Sequence, residues 1–169
     1  MNGMRQLLAV PVAVGLALLG AACSSTLKTT ITPSTSSPTA AAAQVYIAAA
    51  NPLNSVITTF GGQATHWNTQ TTDSQAENEA QPVIAALQNM QEKLLGTTWP
   101  TSARKDVNTL ESVVGPMIGY LQALASLNFV NASSWESSFS RDLSSAVTDS
   151  TAVREDLGLP AVFRNGESF

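Results

Sequence analysis

The chain has 169 residues, 44% of them hydrophobic and 12% charged, and its 8 Lys and Arg against 12 Asp and Glu give a formal net charge of −4. This length supports one hydrophobic core. The acidic balance argues against nucleic acid, whose phosphates are held by clustered Lys and Arg, and against charge-driven binding to anionic lipid.

Residues 1–22 have the three parts of an export signal. Arg5 is their only charged side chain and, with the α-amine, makes a positive start; Met4 is an equally good initiation residue. Residues 7–19 are uncharged and rich in Leu, Ala and Val, and Gly20-Ala21-Ala22 supplies the small residues that a peptidase cleft accommodates. The apolar stretch falls short of the roughly 20 residues that a membrane-spanning helix needs, and it contains Pro11 and Gly15. Leu18-Leu19-Gly20-Ala21-Ala22-Cys23 resembles the lipobox of bacterial lipoproteins, which are cut just before a cysteine that carries a diacylglyceryl group. The resemblance implies cleavage between Ala22 and Cys23 and lipid attachment at Cys23. Gly20 stands three before the cysteine, where the commonest lipobox has a branched residue, and Leu19 is one step further back. Two other readings of these residues remain: an uncleaved anchor helix, and cleavage at an Ala-x-Ala-like site that leaves Cys23 as a thiol.

Cys23 is the only cysteine, so it has no intramolecular disulfide partner, and lipid attachment gives an exported lone sulfur a chemical role. Each buried methylene contributes about 0.8 kcal/mol; one acyl chain holds marginally, whereas two or three hold firmly. Cleavage removes Arg5 and leaves 7 Lys and Arg against 12 Asp and Glu, a formal charge of −5. The expected partner at this end is the membrane itself, through the lipid on Cys23.

Residues 23–39 follow as lipidated cysteine and stalk. They are almost all Ser, Thr, Pro and small residues, with Lys28 the only charge. Such a composition buries too little apolar surface to fold, and it reads as a flexible spacer open to O-glycosylation.

A helical domain is expected over residues 40–160, with the fold opening near Ser37-Pro38, a cap followed by a proline at the first helical position. In the first helix Tyr46, Ala49, Leu53, Val56, Ile57 and Phe60 share one face. Pro52 predicts a kink or a split there, and Gly61-Gly62 predicts the end. Residues 63–73 read as a polar loop holding His66-Trp67. Ser74 and Glu77 form a capping box for the second helix, whose stripe runs from Ala76 and Ala80 through Val83, Leu87 and Met90 to Leu94. Pro82 predicts a bend or a late start, and Gly96 a stop. Trp99-Pro100 opens the third helix, capped by Thr101 or Ser102, with Ala103, Val107, Leu110, Val114, Met117, Leu121 and Leu124 facing inward. Gly115-Pro116 predicts a further kink. After a turn over residues 128–132, Ser133 and Glu136 cap a fourth helix, in which Trp135, Phe139, Leu143, Val147, Ser150, Val153 and Leu157 recur with helical spacing. Gly158 and Pro160 end it, and residues 161–169 form a loose tail. The expected fold is all-α, an irregular antiparallel four-helix bundle with proline-kinked helices, behind the signal and the stalk.

The lipobox, the Ser/Thr/Pro stalk, Trp99-Pro100 before a charged helix start, and Asp156-Leu157-Gly158-Leu159-Pro160 at a helix end together resemble small actinobacterial lipoproteins of the mycobacterial type. The resemblance implies export and lipid anchoring to the outer face of the cell membrane. It brings no activity with it.

Catalytic chemistry finds little to assemble from. His66 is the only histidine, so it reads either as a general base or as an ordinary loop residue. No Gly-x-Ser-x-Gly elbow and no Glu-x-x-His pair occurs, which leaves neither a nucleophile motif nor a di-iron, haem or zinc ligand set; no catalytic residue, metal or cofactor is expected. Asp142, Asp149 and Asp156, seven apart, align along the fourth helix as a solvated flank or as a contact for a cation or a basic partner. His66 and Trp67, with Phe60 and the double glycine, could border a small site for a ligand or partner. The first expectation is therefore a non-catalytic envelope lipoprotein that binds a partner protein or supports envelope assembly. The alternative is a carrier or sensor holding a small apolar ligand inside the bundle. A large exposed apolar patch would favour the first, an enclosed apolar cavity the second.

Overall fold

The computed structural model describes residues 37–68, 70–126 and 132–160, with the backbone alone described for 125, 126 and 132–135. Residues 1–36, with Ala22 and Cys23, lie outside the described residues, as do 161–169, so the signal, lipid and tail expectations fall beyond this description.

Four helices make the fold: α1 (Pro38–Ala64), α2 (Asp73–Gly96), α3 (Arg104–Gln122), which runs on into a 3₁₀ turn at Ala123–Ser126, and α4 (Ala132–Asp156). They form an all-α four-helix bundle, with no strand among the described residues.

Local chemistry explains most boundaries, and it corrects several expectations. Ser37 Oγ accepts from Ala40 N at 3.2 Å, and Pro38 fills the first position, so α1 starts before residue 40. Gly61-Gly62 does not end α1, which continues to Ala64. A glycine stops a helix when it takes a left-handed backbone, and the described glycine that does so is Gly158, at φ 68°. There Leu159 N donates to Arg154 O at 2.8 Å and Gly158 N to Glu155 O at 3.0 Å, the paired bonds of a Schellman stop that closes α4.

Thr72, not Ser74, caps α2: its Oγ1 accepts from Gln75 N at 3.2 Å, and Thr72-x-x-Gln75 has the capping-box spacing two residues earlier. Neither Thr101 nor Ser102 caps α3; the preceding position is Ala103, and Pro100 O accepts from both Ala103 N and Arg104 N at 3.1 Å. α4 opens at Ala132, one residue before Ser133, so the Ser133–Glu136 spacing falls inside the helix and not at its boundary.

The prolines at 52, 82 and 116 leave each helix a single element; α1 is not split and α2 does not start late. All three prolines are exposed, and so are Ala48, Asn78 and Ser112, whose carbonyls they deprive of a donor. An interior proline is most damaging where the orphaned carbonyl is buried, and these lie on the wet face. The Ser- and Thr-rich outer face of α4 is accommodated in a similar local way. Ser144, Ser145, Thr148 and Thr151 each donate to the carbonyl four residues back, at 2.9 to 3.2 Å.

The expected stripes of α2 and α3 are buried throughout, and those of α1 and of the described part of α4 nearly so, with Val56, Leu143 and Val147 at the margin. Fully burying a Leu- or Met-sized side chain contributes about 1.5–3 kcal/mol, and Leu53, Leu87, Met90, Leu110, Met117 and Leu121 all reach 0% exposure. Backbones approach closely between α1 and α2, α2 and α3, and α3 and α4. The α1–α4 seam is wider and is spanned by side chains. Tyr46 OH meets Ser150 Oγ at 2.6 Å, and Phe60 stands edge-on to Phe139 at 6.3 Å. Because 46 pairs with 150 and 60 with 139, the two helices run antiparallel. Trp99, buried between α2 and α3, donates its indole N–H to Leu94 O at 2.7 Å and so closes the end of α2. The side chain of Trp135 lies outside the description. No helix among the described residues is long and apolar enough to cross a membrane.

Candidate functional site at the α1–α2 connection

The chain leaves α1 in a tight turn, with His66 N bonded to Gln63 O at 2.9 Å and Trp67 N to Ala64 O at 3.2 Å. Asn68 ties the following loop: its Oδ1 accepts from Gln70 N at 2.8 Å, and its N–H reaches Thr71 Oγ1 at 2.9 Å. Asn68 Nδ2 adds a bond to His66 O at 3.2 Å.

His66 and Trp67 then part company. His66 is exposed and folds back on the helix end, its Nδ1 2.9 Å from Gly62 O and 3.3 Å from Thr65 Oγ1. A carbonyl only accepts, so this geometry places the proton on Nδ1. The Thr65 hydroxyl itself donates to Gly62 O at 2.7 Å, so His66 Nδ1 is not placed to take its proton as a general base.

Trp67 turns the other way and packs, half-buried, against the core. Its ring stands edge-on to Phe60 at 5.5 Å and 79°. Its indole N–H donates to Glu79 Oε2 at 2.6 Å, while Gln75 Nε2 donates to Glu79 Oε1 at 3.0 Å. The Glu79 carboxylate is therefore held at both oxygens, and through it the loop is fastened to α2.

Beside this lock lies an open groove of about 540 Å³ between α1 and α2. Thr59 and Gln63 form one wall, and Gln75, Asn78, Glu79 and Pro82 the other, with Thr72 and Ser74 at its end. Neither His66 nor Trp67 lines it; the Phe60, double-glycine and His66-Trp67 surroundings expected for a pocket adjoin the groove and do not form its walls. An acid near a helix start is favoured by the helix charge alone, and only its contact with Trp67 sets Glu79 apart. A second open groove, of about 390 Å³, lies at the other end of the same seam between Val45, Ala48, Glu92, Lys93, Gly96 and Thr97. Against family models, curated proteins and solved structures, the chain has no match.

The remaining candidates separate in space. Asp142 pairs with its neighbour Arg141 at 3.0 Å. Asp149 is half-buried, and that burial, with the charge of Asp106 on α3, holds its carboxyl above the usual carboxylate range. Among the described residues no group of three or more His, Cys, Asp or Glu is placed to hold a metal. Leu95, 68% exposed, is the one large hydrophobic side chain left in water among them, so they carry no extended apolar patch. What the α1–α2 connection offers chemically is hydrogen bonding. Its amides and hydroxyls, with one clamped carboxylate, can bind and orient a polar partner.

Proposed function

We propose that the protein is a membrane-tethered, non-catalytic binding module of a bacterial cell envelope. It is exported, cut between Ala22 and Cys23, and held on the outer face of the cell membrane by lipid on Cys23. The observation that carries this reading is the lipobox-like Leu18-Leu19-Gly20-Ala21-Ala22-Cys23, followed by an almost uncharged stalk and then by a folded domain. The resemblance to small actinobacterial lipoproteins supports it.

The layout of the bundle is consistent with such a role. α1 begins at Pro38, directly after the stalk, and its 27 residues span about 40 Å at about 1.5 Å per residue. The α1–α2 connection, with Trp67 clamped to Glu79 and the polar groove beside it, therefore lies at the end of the domain away from the tether. A partner in the envelope meets that end first.

The test is the intact mass of protein gently extracted from its own membranes, compared with a Cys23→Ala variant. The reading expects a mass that starts at Cys23 and carries acyl chains, and release of the variant from the membrane fraction. An unmodified Cys23, or a variant that stays membrane-bound, would overturn it. Native spectra of the same extract also show whether a partner protein travels with the domain.

A further inference from the structure

We propose that the groove between α1 and α2 binds a neutral polyhydroxylated ligand, a saccharide of one or two rings. This rests on the reading of the domain as a binding module and names what its far end takes. The groove's volume, about 540 Å³, lies within the roughly 300–1,000 Å³ of small-ligand sites.

The walls favour hydroxyl groups. Gln63, Gln75 and Asn78 each present an amide with two donors and an accepting oxygen, so each can receive and donate to a sugar hydroxyl. Glu79 adds an acceptor whose orientation is set in advance by Trp67 and Gln75. Pro82, in the same wall, has no N–H, so the Asn78 carbonyl has no donor at its usual helical position.

The charge pattern removes the competing ligand classes. No Lys or Arg occurs between Lys28 and Lys93, and α1 contains no charged residue at all. Phosphate, sulfate or carboxylate ligands would meet no Lys or Arg among the lining residues, only the negative Glu79. An ammonium ligand finds a single carboxylate and no second acid among the lining residues. An apolar ligand would have to desolvate the amides without replacing their hydrogen bonds.

The experiment is a titration of ¹⁵N-labelled protein, extracted in detergent with its N-terminus as processed, followed by amide and side-chain NH₂ resonances. Maltose, cellobiose and mannobiose are the neutral probes, with glucose 6-phosphate and choline as charged controls. At least one neutral disaccharide should shift the resonances of Gln63, Gln75 and Asn78 at millimolar concentration. A Gln63→Ala, Asn78→Ala double variant, at two exposed positions, should weaken that binding at least tenfold while the remaining spectrum is unchanged. No shift with any of the three, equal binding by the double variant, or tighter binding of either charged control would overturn the proposal. The mass at Cys23 is read on the same sample, so a silent groove on a lipidated chain refutes the ligand alone, and an unlipidated chain refutes the tether alone.

Discussion

α1 and α4 face each other across a seam bridged by side chains, and they are held by different means. α1 has 27 residues and no charge, and it buries eight of its side chains, among them Tyr46, Leu53, Ile57 and Phe60. α4, of 25 residues, carries Glu136, Arg141, Asp142, Asp149, Arg154, Glu155 and Asp156 and places a serine in the middle of its inner face. α1 is held by area removed from water. α4 is held by a thinner apolar stripe supplemented by particular contacts: Ser150 with Tyr46, Phe139 with Phe60, and Arg154 Nε donating to Pro160 O at 3.2 Å. Two helices of similar length can thus share one core while differing in how much a single contact matters.

The comparison is broken most forcefully in the core. Leu53→Ala in α1 removes a side chain at 0% exposure and is expected to cost about 2–5 kcal/mol, whereas Leu143→Ala, at the half-buried margin of α4, should cost distinctly less. Urea denaturation of both variants measures this. Equal losses would mean that α4 contributes as much buried area as α1 despite its composition.

The Tyr46–Ser150 pair comes next. Tyr46→Phe strands the Ser150 hydroxyl in the core and is expected to cost about 1–3 kcal/mol, part of which a second substitution, Ser150→Ala, should restore. Burial pushes the Tyr46 hydroxyl above its ordinary 10.0, against the smaller opposing pulls of the Ser150 hydrogen bond and the Arg154 charge. A raised value in the folded state means a contribution fully present below about pH 10 and lost as the pH climbs through the raised value. Stability should therefore fall above that pH in the native chain, and Tyr46→Phe should flatten the fall. Denaturant midpoints at pH 9 and above decide it; parallel profiles would remove Tyr46 as the cause.

The smallest effect belongs to the α3–α4 seam. Asp149 has its carboxyl raised above 3.8, first by burial and then by Asp106. Its favourable contribution is present below about that pH and is lost as the pH rises through the raised value, so the ionised group is a slight liability at neutrality. Asp149→Asn should raise the melting temperature slightly at pH 7, reflecting a stability gain of less than about 0.5 kcal/mol because solvent screens a part-exposed charge, and should give no gain near pH 3.

Much of the bundle is readable from the sequence because helical spacing is a local property. Met90 and Leu94 or Val107 and Leu110 fall on one face whatever surrounds them, and Ser37-Pro38 or Gly158 marks an end through its own backbone chemistry. The candidate site is less readable. Trp67 has no periodic neighbours, and its partner Glu79, twelve residues away, looks from the sequence like any acid near a helix start. The helix starts depend likewise on their surroundings. The sequence points to Ser74 as the cap of α2, yet it is the Thr72 hydroxyl that accepts from Gln75 N.

The sequence by itself determined four helices, their inner faces and the lipobox-like start, because each rests on residues within a few turns of one another. Tertiary structure decided the rest. Gly61 and Gly62 stay helical because glycine permits a left-handed turn without requiring one. Pro52, Pro82 and Pro116 are tolerated because they and the residues they leave without a donor face solvent. Ser150 is accepted in the core because Tyr46, 104 residues away, supplies its hydrogen bond. Each outcome depends on what a distant segment places opposite, and only the packed fold provides that.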